Sequence, residues 1–128
     1  MHRDNPGPAT ITLTTDFGLE DAYVGSIKGV ILSIDPHVRI IDITHELPAH
    51  NILRAAFLLR EACPRFPPET IHLAVVDPGV GGRRRPLLLK IEDRFYVGPD
   101  NGIFGLLLED FSFQGAWSLE NPEYFLPL

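Results

Sequence analysis

The chain has 128 residues, a formal net charge of −6 and 45% hydrophobic residues, so it can bury one core without disulfides. Its single cysteine, Cys63, excludes a disulfide framework, and its acidic excess, spread over both halves, excludes a basic nucleic-acid-binding module. No stretch approaches the roughly 18 uninterrupted apolar residues of a membrane span, and the first residues lack the apolar region of a signal peptide. We therefore predict one domain over residues 1–128, located in the reducing cytoplasm, with no nucleic-acid or membrane partner.

Strand and helix patterns alternate along the sequence. The β-branched run TITLTT suits a strand, whereas Val24, Ile27, Ile31 and Ile34 recur at the spacing of a helix face. The patterns predict strands over residues 10–15, 38–43 and 71–76, helices over 21–34, 51–62 and 102–108, and a hairpin of 87–91 with 95–98. This order implies an α/β fold, with a mostly parallel central sheet, helices on both faces and an antiparallel hairpin. The two ends of the chain carry no clear pattern.

Three polar clusters follow the predicted parallel strands, at the edge where open α/β sheets bind ligands. They are DFGLED, which contains Asp16 and Asp21, then Thr44-His45-Glu46, and then DPGVGGRRR, which begins at Asp77. Acids at such places often cap helices, and most arginine runs are solvated surface charge. The functional alternative is that Asp16 accepts hydrogen bonds from two vicinal ribose hydroxyls, and that Asp77 pairs with an arginine across its loop.

Several other chemistries do not fit these motifs. DPGVGG lacks the Lys and Ser/Thr of a P-loop, and its glycines do not match G-x-G-x-x-G. His45 and His50 are not spaced as zinc ligands and have no third ligand in register, so we expect no metal. Ser26, Ser33 and Cys63 lack the surroundings of an activated nucleophile, so we expect no covalent intermediate.

Four stretches of the sequence occur in the order of one known family. They are TTDFGLEDAYVGSIKGVI, IIDITHELPAHNILRAAFLL, AVVDPGVGGRRRPLLL and YVGPDNGIF. In these motifs the chain resembles the N-terminal domain of the S-adenosylmethionine (SAM) hydroxide adenosyltransferases, or SAM hydrolases, which are relatives of the fluorinase and chlorinase enzymes. The resemblance implies that water splits SAM into adenosine and methionine, with SAM as the substrate and with no cofactor or metal.

The resemblance also implies roles for individual residues. Asp16 would bind the ribose hydroxyls, and Asp21 would contact the methionine amino group. Asp77 and Arg84, seven positions further on, would help a histidine to position and activate water. Members of the family form homotrimers in which a neighbouring subunit closes over adenine, so the expected partners are SAM or adenosine and further copies of the chain.

Two alternatives remain open. We expect the family's histidine motif and β-rich C-terminal domain to be absent, which would leave impaired hydrolysis or an inactive oligomerising or adenosine-binding domain. The second alternative is a SAM-dependent halogenase, but such enzymes resemble the chain without the Asp77 and Arg84 pair and with an insertion in the hairpin. The acidic and aromatic segment from Glu109 onward is expected to meet another subunit.

Overall fold

The computed structural model describes residues 7–20, 22–48, 51–76 and 86–119. In chain order their elements are β1 (Thr10–Thr15), α1 (Tyr23–Ile34), β2 (Arg39–Thr44), α2 (Ile52–Ala62), β3 (Ile71–Val75), β4 (Pro86–Ile91), β5 (Arg94–Pro99), α3 (Gly105–Asp110) and β6 (Phe113–Ser118). Every predicted strand and helix is present, although α3 begins three residues later than expected. The later start of α3 has a local cause. Gly102 has a φ of +94°, which is not a helical value, and the residue belongs to the turn before the helix. None of the helices in these ranges is long and apolar enough to cross a membrane.

All six strands form one sheet in the order β2-β1-β3-β5-β4-β6. β1 is parallel to β2 and β3, and β3 is parallel to β5, whereas β4 is antiparallel to both β5 and β6. The predicted α/β fold with a mostly parallel sheet is confirmed. Because parallel strands end at a common edge, Thr14 lies opposite Thr44 and Thr15 lies opposite Val75.

The helices cover both faces of this sheet. The β1-α1-β2 and β2-α2-β3 connections cross the sheet in opposite directions, so right-handed crossovers place α1 and α2 on opposite faces. The Asn51 side chain starts α2 by accepting a hydrogen bond from the Arg54 N–H at 2.9 Å. On the face of the sheet that α2 covers, α2 and α3 bury one apolar cluster against the strands. Its members are Leu47, Ala55, Leu59, Cys63, Ala74, Val76, Leu89, Ile91, Tyr96, Ile103, Phe104 and Leu107.

The turn between β4 and β5 is one residue shorter than predicted, because β5 begins at Arg94, and it lacks the usual turn residues. Glu92 and Asp93 form its two-residue loop with φ of 45° and 65°, the left-handed values of a type I′ turn, which Asn and Gly adopt more easily. Two contacts support this backbone. The Ser112 N–H donates to the Glu92 carboxylate at 2.9 Å, and the Asp93 N–H donates to the Gln114 side chain at 2.7 Å.

The strand β6 was not predicted from the sequence. It pairs antiparallel with β4, with Trp117 opposite Leu88, and forms an edge of the sheet. Phe113 and Trp117 remain 55% and 51% exposed, so the strand has no consistently buried face and shows no two-residue hydrophobic period. The expectation that the chain end carries no regular structure is therefore wrong for Phe113–Ser118.

A buried histidine lies in the middle of the sheet. His72 is 1% exposed, its ring stacks on Tyr96 with centroids 5.0 Å apart, and its Nδ1 is 2.7 Å from the Thr12 hydroxyl. Burial lowers the pKa of His72 to about 4, and the charge of Arg94 adds to this effect, whereas a backbone interaction with Cys63 opposes it. The ring is therefore neutral at neutral pH and acts as part of the core.

The low pKa of His72 predicts acid-sensitive stability. The unfolded chain binds a proton at the ordinary pKa of 6.5 and the folded chain only near 4, so stability is fully present above pH 6.5 and declines as the pH falls toward 4. Over this window His72 accounts for a loss of about 3 kcal/mol in the free energy of unfolding. Urea denaturation at several pH values should show a shallower pH dependence for His72→Gln. The control His37→Gln, at an exposed site, should keep the wild-type slope; equal slopes for all three proteins would contradict the prediction.

Close packing at Gly98 on β5 predicts a second effect on stability. A Cβ atom there would lie 2.8 Å from the Ala74 carbonyl oxygen and 2.9 Å from the Phe104 ring. Gly98→Ala should therefore lower the free energy of unfolding by about 1–3 kcal/mol. Gly105→Ala is the matched control, because a Cβ at Gly105 meets nothing within 4 Å. Denaturant unfolding that finds Gly98→Ala as stable as Gly105→Ala would rule out the close contact.

Candidate functional site

The candidate site lies at the edge where β1, β2 and β3 end. Asp16 follows β1 directly and is half-buried there. His45 follows β2 and is 4% exposed, so it points into the protein rather than into solvent. The other predicted site residues, Asp21, Asp77 and Arg84, lie outside the described residues.

A chain of four side chains connects this edge to α1. His45 Nδ1 is 2.7 Å from the Thr15 hydroxyl, and His45 Nε2 is 2.7 Å from Asp42 Oδ1. The other carboxylate oxygen of Asp42 accepts a 2.7 Å hydrogen bond from the Lys28 ammonium on α1. The chain therefore joins β1, β2 and α1 through consecutive short hydrogen bonds.

The protonation of this chain follows from its partners. Burial raises the pKa of Asp42, but the hydrogen bonds and charges of Lys28 and His45 outweigh it, so the pKa lies below its usual value. Asp42 is thus a carboxylate that accepts from His45 Nε2–H. His45 Nδ1 forms the next hydrogen bond with the Thr15 hydroxyl, whose oxygen also accepts a 3.3 Å bond from the Phe17 N–H.

This order resembles a nucleophile–histidine–carboxylate triad, but its surroundings do not suit covalent catalysis. Thr15 is 0% exposed, so a substrate cannot reach its hydroxyl. Cys63 is equally inaccessible, and burial raises the pKa of its thiol to about 12. The expectation that neither a covalent nucleophile nor a metal is used stays a prediction. Within the four described ranges, no group of three or more His, Cys, Asp or Glu residues is placed to hold a metal ion.

The turn that carries Asp16 is held by His45. The Gly18 N–H donates to the main-chain carbonyl of His45 at 2.6 Å, and Gly18 has a φ of +75°, which favours glycine. The sequence pattern placed His45 in a polar cluster without indicating a role for it. Its position after a strand was the available signal, whereas its two contacts to the turn depend on the tertiary fold.

The end of β3 is held in a similar way. The Asn101 side-chain N–H donates to the Val76 carbonyl at 2.7 Å, and its oxygen accepts from the Ile103 N–H at 3.3 Å. Val76 is the residue before Asp77 and is 0% exposed. Asn101 belongs to the motif YVGPDNGIF, but no sequence signal indicated a role for this side chain. It fixes the chain at Val76, the last described residue before Asp77.

Comparison with known proteins places the whole described fold in one family. A model described as the SAM hydroxide adenosyltransferase N-terminal domain matches residues 11–127. A protein of Methanocaldococcus jannaschii named (R)-S-adenosyl-L-methionine hydrolase is 41% identical over 119 residues, which are 89% of this chain and 45% of that protein. A protein of the same name from Salinispora tropica is 46% identical over 93 residues, which are 73% of this chain and 35% of that protein.

More distant and structural relatives agree with this placement. A fluorinase of Nocardia brasiliensis is 23% identical, over 88% of this chain and 45% of its own. The crystal structure of an uncharacterised conserved protein from Thermotoga maritima superimposes with a TM-score of 0.85 at 41% identity, over 90% of this chain and 45% of that one. The chain thus spans less than half the length of the relatives it matches. The match over residues 11–127 nevertheless shows that the chain belongs to the family of the SAM hydroxide adenosyltransferase N-terminal domain.

Proposed function

We propose that this chain takes part in the hydrolysis of SAM to adenosine and methionine. The observation that carries the proposal is the position of Asp16, a half-buried acid at the carboxyl end of β1, in a chain of this family. A carboxylate at such a strand end suits the paired hydroxyls of a ribose, because it can accept a hydrogen bond from each. The chain is 41% identical to a protein named (R)-S-adenosyl-L-methionine hydrolase, and this identity supports the same reaction.

Hydrolysis of SAM depends mainly on the positioning of water relative to the substrate. Water attacks C5′ of SAM, the C5′–S bond breaks, and its electron pair goes to sulfur, so methionine leaves as a neutral thioether and needs no acid. The water loses its proton during the reaction, and the carboxylate of Asp77 is proposed to accept that proton or a hydrogen bond from the water. Arg84 is proposed to keep this carboxylate charged and oriented, and Asp21 to bind the methionine amino group. Alignment of water behind C5′ accounts for the remaining catalysis.

A second surface is proposed to cover the site. Leu19 and Tyr23 both follow the Asp16 turn in sequence and are 63% and 62% exposed, so a surface that covers the site could bury them. A neighbouring subunit of a homotrimer, or a further domain, would bury them and close over adenine. The cytoplasmic location also remains a proposal, and the buried, reduced Cys63 is compatible with it.

Halide transfer is the less favoured alternative. The family resemblance places an insertion in the hairpin of halogenases, whereas Glu92 and Asp93 alone connect β4 to β5 here. The fluorinase of Nocardia brasiliensis is also far less similar to the chain than the proteins named SAM hydrolase. Both observations support water rather than halide as the acceptor.

The role of Asp16 predicts a specific loss of ribose recognition. Asp16→Ala should weaken adenosine binding roughly 10–100-fold, because hydrogen bonds to a charged acceptor contribute about 1.5–3 kcal/mol. Isothermal titration calorimetry with adenosine and 2′-deoxyadenosine measures this directly. Wild type should prefer adenosine, and Asp16→Ala should not. Asp35→Ala removes an acid between α1 and β2, at the amino ends of the parallel strands. This variant should bind adenosine as wild type does. An unchanged preference in Asp16→Ala would refute the assignment.

The water-positioning pair predicts a loss of turnover rather than of affinity. Asp77→Ala and Arg84→Ala should each lower kcat for SAM by about 100-fold or more while KM changes little, because the pair acts on water rather than on SAM. Adenosine release from SAM, followed by chromatography, gives both constants. Unchanged kcat in either variant would contradict the roles. If wild type binds adenosine but releases none from SAM, the chain is instead an adenosine-binding domain.

A further inference from the structure

We propose that His45 is a positioning residue for the adenosine site, because it holds both ends of the turn that presents Asp16. Its ring bonds to the Thr15 hydroxyl at 2.7 Å, before Asp16, and its carbonyl accepts from the Gly18 N–H at 2.6 Å, after Asp16. One residue thus brackets the turn on both sides. The ligand assignment rests on the proposed function, whereas the bracketing is a property of the fold.

His45 can hold the turn because its own orientation is fixed. Its Nε2 is bound to Asp42, which is in turn bound to Lys28 on α1, and both contacts are 2.7 Å long. With both ring nitrogens engaged and only 4% of the residue exposed, rotation of the ring would break two hydrogen bonds of a buried side chain. The position of Asp16 is therefore tied to β2 and α1 and not only to its own strand.

The geometry assigns His45 an indirect action. Thr15 is completely buried, so a ligand cannot contact the Thr15 hydroxyl to which the His45 ring is bonded. The effect of His45 on binding must pass through the placement of Asp16. Small displacements of a group that binds or orients a substrate can lower activity by as much as about 100-fold. Loss of the bracket should therefore reduce recognition of the ribose hydroxyls in particular, and not every contact with the ligand.

Two adjacent threonines on β1 provide a matched test. Thr15→Val removes the hydroxyl that binds His45 with almost no change in volume. Thr14→Val makes the same change one residue earlier, at a buried hydroxyl that has no hydrogen-bond partner among the described residues. Thr15→Ser restores a hydroxyl and should rescue the first variant. Lys28→Met tests the outer end of the chain and should have a smaller effect in the same direction.

Ligand recognition gives the first readout. By calorimetry, Thr15→Val should bind adenosine about 5–20-fold more weakly and lose most of the preference for adenosine over 2′-deoxyadenosine. Thr14→Val should stay within about twofold of wild type, and Thr15→Ser should recover the preference. If wild type prefers adenosine and Thr15→Val keeps both its affinity and its preference, the proposal is overturned.

Amide hydrogen exchange gives a second readout that needs no ligand. In Thr15→Val the Gly18 amide, which donates to the His45 carbonyl, should exchange about 10-fold faster or more, while the Leu13 amide in the core of β1 exchanges no faster than in Thr14→Val. Unchanged Gly18 exchange would show that His45 does not hold the turn, whatever the binding data. If wild type binds no adenosine, the proposed function fails, and this exchange measurement alone then decides whether His45 positions the turn.

Discussion

The arrangement of the candidate site depends on the parallel pairing of β1 with both of its neighbours. β1 lies between β2 and β3, and because the three strands run in the same direction their carboxyl ends open at one edge. A one-residue shift in register would turn Thr15 to the opposite face and separate it from His45. Complete burial of Thr12 and Leu13, which face opposite sides of β1, resists such a shift.

Three of the four buried residues of β1 are threonines, and two of them bind side chains from the neighbouring strands β2 and β3 or their ends. Thr12 bonds to His72 on β3, and Thr15 bonds to His45 after β2, each at 2.7 Å. Buried hydrogen bonds are directional and do not compete with water, so they define relative positions more narrowly than apolar contacts do. The first bond lies in the core and the second at the ligand edge. A stable interior and an ordered Asp16 turn are thus consequences of the same strand.

The elements that the sequence predicted well are those whose composition or spacing matches their burial. The short β-branched run at Thr10–Thr15 is buried without interruption from Thr12 onward, and the helix Ile52–Ala62 was located to within one residue because its buried residues recur at helical spacing. The strand Phe113–Ser118 was missed for the opposite reason, since an exposed edge strand has no such period. The turn at Glu92 and Asp93 is one residue shorter than predicted and lacks the preferred turn residues, and contacts near β6 support its backbone.

The sequence by itself determined the fold class, the family and the acids expected at the site. The succession of strands and helices along the chain and short motifs such as DFGLED are local features of the sequence. Only the tertiary structure decided how Asp16 is held. The partners that hold its turn, His45 and through it Asp42 and Lys28, lie on other elements, and their distances depend on how β2 and α1 pack against β1. No sequence pattern encodes such distances, since they are set by the sum of many packing contacts rather than by the neighbours of each residue.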